Sequence, residues 1–243
     1  MCTVVVFKDT VESHPLVIAA NRDEDPKREA RMPGHLSHAV FAPQDMKRGG
    51  TWMGVNVHGV AVAITNRNYD IAPKGQYSRG QLVMDALASR CGDEALSLVM
   101  EMNPEAYSGF HLIIADAKQA YLVVNDGRHL TSQGFLPGMH VITSYGVHAG
   151  HSQRDHLIRS FIPPIIACCP SDLKSLLTFH GKDPEDGTCS HGDGVFMESR
   201  FSMIARLPAA QRAWDLHWRE GRPCAGGEWH EETVPLLDKA RQR

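Results

Sequence analysis

The chain has 243 residues and no apolar run of about 18, so nothing in it reads as a transmembrane helix. Its start is not expected to be a signal peptide, because Lys8, Asp9 and Glu12 interrupt the apolar stretch. A large charge of either sign is also missing. The net charge of −3 gives no broad pull toward nucleic acid or a membrane surface. Six cysteines, at positions 2, 91, 168, 169, 189 and 224, show no paired spacing that would build a disulfide framework. The adjacent Cys168–Cys169 suit a packed segment better than a bridge. A reduced, cytoplasmic protein is the expectation. Phosphate-binding loops are absent: GGTWMG and GTCSHGDG have neither the dinucleotide nor the P-loop spacing. Residues 150–153 (GHSQ) do not form the elbow of a serine hydrolase. There is no internal repeat and no linker. With 42% hydrophobic residues, one domain over residues 1–243 is expected, its polar tail after about 219 loosely packed.

The N-terminal stretch reads as a β-hairpin. CTVVVF (Cys2–Phe7) and PLVIAA (Pro15–Ala20) are apolar, with the polar Lys8–His14 between them as a loop. If Phe7 pairs with Pro15, Cys2 lies opposite Ala20. Asn21, Arg22, Asp23 and Glu24 then leave the sheet beside the Cys2 thiol. Residues 26–48, polar with three prolines, read as a long loop over the sheet. Gly49-Gly50 opens a second hairpin, with TWMGVNV (51–57) and VAVAITN (60–66) flanking a two-residue turn at His58-Gly59. That turn brings Asn66 opposite Thr51, beside a glycine pair that allows close backbone approach to a ligand.

Farther along, Ser78 and Gln81 have capping-box spacing at the start of a helix, and a second helix follows at about 93–102. FHLIIAD (110–116) and AYLVVND (120–126) predict a third hairpin, and HVITS (140–144) another strand. Residues 152–162 predict an amphipathic helix, and 171–179 a short one. The stretch 180–194 reads as a loop, and 195–207 as a strand pair or one bent strand. Runs of strands, then helices, then strands predict an α+β fold with stacked sheets rather than alternating βαβ units.

Cys2 carries the most chemistry. Its small side chain at position 2 favours removal of the initiator Met, which leaves a thiol and a free α-amine on one residue. The unperturbed amine has a pKa of about 7.7–8.0, so it can act as general base on its own side chain. The candidate catalytic set is Cys2, Arg22, Asp23, Asn66 and Arg200. Asp23 would orient the amine, Asn66 would donate to the oxyanion, and Arg22 or Arg200 would lower the thiol pKa. Asn21, Gly50, Trp52 and Ser144 are candidate substrate-binding residues.

MCTVVVF, AANRDE, GGTWMGVN, GVAVAITN and SRGQLV, in that order over the first ninety or so residues, resemble the NRDE family, also called the transport and Golgi organisation family. That family in turn resembles N-terminal-nucleophile hydrolases of the choloylglycine hydrolase and penicillin acylase type. The resemblance implies a four-layer αββα fold and a cysteine exposed by Met removal. Asp23, Asn66 and Arg200 fall on the hydrolase positions for the early Asp, the oxyanion Asn and the late Arg. Two positions depart from that pattern. Ala20 stands where the bile-acid hydrolases have an Arg three residues before the Asp. Thr143-Ser144 stands where they have Thr-Asn, although Ser144 still donates one hydrogen bond. The reaction implied is hydrolysis or transfer at a linear amide, needing no cofactor. The alternative implied by the family is a non-enzymatic haem carrier, and haem or a small molecule is the expected partner.

Fourteen histidines are the one unusual count. His148, His151 and His156 precede or open a predicted helix, and Cys189, His191 and Asp193 sit in a predicted loop. Neither spacing matches a standard zinc site, so solvated histidines are expected and no metal site. A haem ligand from His or Cys stays open.

Overall fold

The computed structural model describes residues 2–11, 13–67, 75–144, 146–147, 153–161, 169–181, 187–192, 197–210 and 212–237. In chain order, β1 (Thr3–Val11) and β2 (His14–Glu24) form a hairpin. Strands β3 (Ala30–His35), β4 (Val40–Asp45), β5 (Met53–Asn56) and β6 (Ala61–Asn66) follow, then helices α1 (Arg79–Leu87) and α2 (Gly92–Met100). Next come β7 (Phe110–Ala115), β8 (Ala120–Asn125), β9 (Leu130–Gly134), β10 (Gly138–Thr143) and β11 (Gly146–Val147). Helices α3 (Gln153–Phe161) and α4 (Pro170–Thr178) lead to β12 (Glu198–Leu207), β13 (Ala213–Glu220) and β14 (His230–Pro235).

The strands build two seven-stranded antiparallel sheets. One has the order β11-β10-β1-β2-β12-β13-β14, the other β3-β4-β5-β6-β7-β8-β9. Strand alternation then makes four layers. Val4, Val6, Leu16 and Ile18 meet Met53, Ala61, Ala63 and Ile113 between the sheets. The alternate residues Val5, Phe7, Val17 and Ala19 pack on Ile158, Leu173 and Leu176 of α3 and α4. On the far side Val62, Ile64 and Leu112 pack on Leu82, Val83 and Ala95 of α1 and α2. The expected αββα architecture is therefore the observed one. β1 and β2 lie mid-sheet with both faces covered, which is why their apolar runs are continuous rather than alternating. Each large aliphatic chain buried there contributes about 1.5–3 kcal/mol.

Several local expectations need correction. In the first hairpin Phe7 pairs with Val17, not Pro15, and Thr3 with Asn21. The strands run on into the expected loop, with a bulge between Lys8 and Val11 and Asp9 at φ 49°. A slip of two residues keeps every side chain on its face, so the core pattern survives it. In the second hairpin Met53 pairs with Ala63, one residue off the expected register. The turn is longer than two residues because the Asn56 Oδ1 accepts from the amides of both His58 and Val60, each at 2.9 Å. A slip of one residue matters: Thr65, not Asn66, continues the pairing opposite Thr51. Residues 26–48 are not all loop, since they hold β3 and β4. Pro33 is tolerated because β3 is an edge strand with a bulge between Arg31 and Gly34. The polar tail supplies β14, which pairs with β13 and buries Val234. The capping box does not form: Ser78 makes no side-chain cap, and Gln81 bonds Asp85 instead.

Three asparagines, Asn21 within β2 and Asn56 and Asn125 at the ends of β5 and β8, act as buried staples. Asn21 donates to the carbonyls of Leu177 and Thr188, both at 2.8 Å. Asn56 donates to Leu87 and Ser89 at 2.8 and 2.7 Å, and Asn125 to Pro104 at 3.0 Å. Asn21 and Asn56 each satisfy carbonyls that a terminating helix leaves without an intrahelical partner. Among the described residues no helix is long and apolar enough to cross a membrane.

Candidate active site

Cys2 immediately precedes β1, in the middle of its sheet. Its backbone nitrogen donates to Ser144 Oγ at 3.2 Å, and its Sγ lies 3.9 Å from the Asp23 carbonyl oxygen. The Ser144 contact follows from pairing, which also sets Cys2 level with Arg22, the residue before Asp23. Thr3 is flanked by Asn21 on β2 and Thr143 on β10, so the residue before it meets the residues after those two. Ser144 is buried and holds the nitrogen of Cys2, not a position in front of its sulfur.

The charge around the thiol differs from expectation. Burial pushes the Cys2 thiol up and the Asp23 carboxylate adds to the rise, while the N-terminal charge, the contact with the Asp23 carbonyl and, least, Arg22 offset only part of it. Desolvation outweighs the guanidinium, so the thiol is protonated at neutral pH and needs a base to become a nucleophile. Arg22 is only 4% exposed and lies over the Trp52 ring at 4.1 Å. A desolvated cation–π contact of this kind is worth about 2 kcal/mol. Its Nη2 also reaches Glu24 at 3.1 Å and Asp45 at 3.7 Å. Trp52 in turn stands edge-on to Phe201, 5.4 Å between ring centroids. Burial works against the Asp45 charge. Hydrogen bonds from Arg28 and the Lys47 amide, with the two guanidinium charges, still hold its carboxyl below the usual range.

Arg79 is the residue that sequence reasoning missed. It opens α1, donates to the Gly109 carbonyl at 2.8 Å, and lies close enough to Cys2 to interact with its charge. Its signal was present in SRGQLV, which reads locally as a helix start. Arg79→Gln is expected to slow alkylation of Cys2 by an uncharged reagent near neutral pH and to move the pH profile of alkylation upward. Each unit of thiol pKa is about tenfold in thiolate. An unchanged profile would remove Arg79 from the site.

Arg200 is not brought to the thiol. Ser199 pairs with Asp23 and Phe201 with Arg22, so Arg200 is the extra residue of a β-bulge. Its guanidinium donates to the Pro26 carbonyl. Asp23 sits on the helix-facing side of β2, where Oδ1 accepts from Ser199 Oγ at 2.5 Å. Its carbonyl, rather than its carboxylate, is the part seen beside Cys2 Sγ.

Asn21 shares that helix-facing side, with both amide hydrogens used and Oδ1 accepting from Ser202 at 2.6 Å. It is a staple under α4 and does not present its amide to a substrate. Asn66 ends β6 at the same end of the sandwich. Thr65, just before it, donates to the Thr143 carbonyl at 3.4 Å and meets His111 Nδ1 at 3.3 Å. Gly50 does not open a space: a Cβ there would lie 2.3 Å from the Gly80 carbonyl carbon. The close approach is to the start of α1, whose Gly80 carbonyl accepts from Thr51 at 3.1 Å.

Of the histidine groups, His148, His151 and Asp193 lie outside the described residues. His156 is exposed. Cys189 and His191 are not solvated loop residues. Cys189 is 1% exposed, and His180 and Cys224 come to it and to His191 from other parts of the chain.

A family model described as Transport and Golgi organisation 2 matches residues 1–161 of the 243. A Bos taurus protein, Transport and Golgi organization protein 2 homolog, is 35% identical over 111 residues. The match covers 43% of this chain and 40% of that protein, less than half of either. Among solved structures, a Caenorhabditis elegans N-acylethanolamine-hydrolyzing acid amidase ortholog superposes with a TM-score of 0.58 at 11% identity, over 84% of this chain and 92% of that one. A mutant conjugated bile acid hydrolase from Clostridium perfringens gives 0.55 at 9% identity, over 100% of this chain and 94% of that one. At such identities the likeness is one of fold: both are N-terminal-nucleophile hydrolase scaffolds.

Proposed function

The chain belongs to the Transport and Golgi organisation 2 family, and from that premise we propose that it cleaves or transfers a linear amide, with Cys2 as an N-terminal nucleophile. The observation that carries this reading is the setting of Cys2. Its nitrogen is held on Ser144, its sulfur lies beside Asp23, and Arg22 and Arg79 stand near a thiol that burial keeps protonated. The hydrolase-like scaffold and the amide-cleaving activity in the name of the Caenorhabditis elegans neighbour support the substrate class.

The chemistry runs on this chain's own groups. Cleavage of the Met1–Cys2 bond turns the Cys2 nitrogen into an amine, which Ser144 Oγ keeps in place. The amine takes the Sγ proton and the thiolate attacks the amide carbonyl, forming the C–S bond. Asn66 supplies the amide donor to the oxyanion in this reading. As the C–N bond breaks, the ammonium returns its proton to the leaving amine. The thioester is then hydrolysed by a water that the amine deprotonates, releasing a carboxylic acid and restoring the thiol. In a transferase an acceptor amine takes the place of that water.

The test is a thiol-reactive amide mimic followed by tandem mass spectrometry. Preferential labelling of Cys2 is expected. If Cys91 or Cys169, both exposed, label as readily, the nucleophile assignment fails. The family's other reading, a haem carrier, then takes its place, with a saturable Soret shift near one equivalent of hemin as its signature.

A further inference from the structure

The geometry points to a second site, behind the first: His180, Cys189, His191 and Cys224 form a closed tetrahedral site for one zinc-like divalent cation. His180 follows α4, Cys189 and His191 come from the 187–192 segment, and Cys224 lies in the short 3-10 turn Pro223–Ala225 after β13. Their ligand atoms all lie within 4.8 Å of one another. His191 Nε2 is 3.2 Å from His180 Nε2 and 3.0 Å from Cys224 Sγ. A tetrahedron with metal–nitrogen bonds of about 2.0–2.1 Å and metal–sulfur bonds of about 2.3 Å has edges of roughly 3.3–3.8 Å. Two measured edges are therefore within about an ångström of that figure, and no other needs to shrink by more than about 1.5 Å.

The donor set is itself selective. Two imidazole nitrogens and two sulfurs, with no carboxylate, suit zinc and reject magnesium or calcium. Cys189 is buried and the site reaches solvent at His180, so the ion has a path in. Four protein ligands leave no open position, which makes the site structural rather than part of a reaction.

Its position says what it would hold. The Cys189 amide donates to the Phe179 carbonyl at 3.0 Å. The Ser190 amide donates to Ser199 Oγ at 2.9 Å, and Ser199 Oγ donates to Asp23. The neighbouring Thr188 carbonyl accepts from Asn21. The ion thus clamps α4, the 187–192 segment and the end of β13 at the back of the strand that carries Asn21 and Asp23. Sequence spacing hid the site because Cys224 is distant in the chain and arrives only through the turn after β13.

The test uses the full chain, reduced and stripped of metal, titrated with cobalt(II). Saturation at one cobalt per chain is expected, with the strong visible bands of a tetrahedral ion and an ultraviolet sulfur-to-metal charge-transfer band, all displaced by zinc. Zinc at about 100 times its Kd should raise Tm by roughly 5–10 °C. Cys224→Ser should weaken cobalt binding, lower the charge-transfer band to the share contributed by the one remaining sulfur of Cys189, and shrink the rise in Tm. His180→Ala, a change at an exposed position that leaves the core intact, should weaken cobalt binding and shift the bands. Cys169→Ser should change neither. A pale octahedral spectrum, binding indifferent to both ligand variants, or a Cys189–Cys224 disulfide in the reduced preparation would each overturn the assignment. None of these readouts involves turnover, so the site stands or falls independently of the amide chemistry at Cys2.

Discussion

Cys2→Ala is expected to abolish amide hydrolysis while moving Tm by no more than a degree or two. Loss of a nucleophile in a hydrolase costs on the order of 10⁶-fold in kcat. Cys2 is half-buried at the head of a strand, and its main contact is through backbone nitrogen, which Ala retains. The decisive companion is a chain that keeps Met1 because a bulky residue follows it. That variant retains the thiol and loses only the free amine. It should be as inactive as Cys2→Ala, since among the described residues no histidine is hydrogen-bonded to Cys2 to serve as base instead. Hydrolysis by the Met1-retaining form at the rate of the mature one would be incompatible with the amine acting as base.

The pH profile of the mature form follows from the burial of the thiol. Burial, helped by the Asp23 carboxylate, raises the Cys2 pKa, so the proton is on sulfur at neutral pH. Activity should therefore rise with pH as the amine–thiol pair loses its protons. The apparent values belong to the pair rather than to either group. A rate that falls from neutral pH upward would contradict this arrangement.

What could be read from the sequence was whatever depends on face rather than register. The apolar runs at residues 2–7, 15–20, 60–64 and 110–115 define strands buried on both sides, and they place the two sheets and their helix layers. A two-residue slip in the first hairpin kept the core faces and moved Cys2 from the level of Ala20 to that of Arg22, which puts the Asp23 carbonyl beside its sulfur. A one-residue slip in the second brought Thr65, not Asn66, opposite Thr51. Local patterns also could not show that Arg200 falls on a bulge, that Gly50 is packed by Gly80, or that Arg79, at a helix start, comes within electrostatic reach of Cys2. The His180–Cys224 cluster is the extreme case, assembled from three separate segments with no motif spacing.

The largest stability effect is expected at Asn21. Its register position on β2 aims it at the α3–α4 layer, where it bonds two carbonyls and Ser202. Asn21→Ala leaves the Leu177 and Thr188 carbonyls without this donor and Ser202 Oγ without this acceptor, all in buried surroundings. Each buried polar group stranded in this way costs about 1–3 kcal/mol, so a loss of at least about 3 kcal/mol is expected. For a chain of this size that lowers Tm by roughly 6–12 °C. Asn66→Ala, at the partly exposed end of β6, should move Tm by no more than a degree or two. Thermal denaturation of the two variants side by side separates the roles. If Asn21→Ala leaves Tm unchanged yet abolishes activity, its amide faces the substrate after all. If Tm falls as expected, the first residue of the NRDE stretch is there to hold α4 and the 187–192 segment against the strand that carries Asp23.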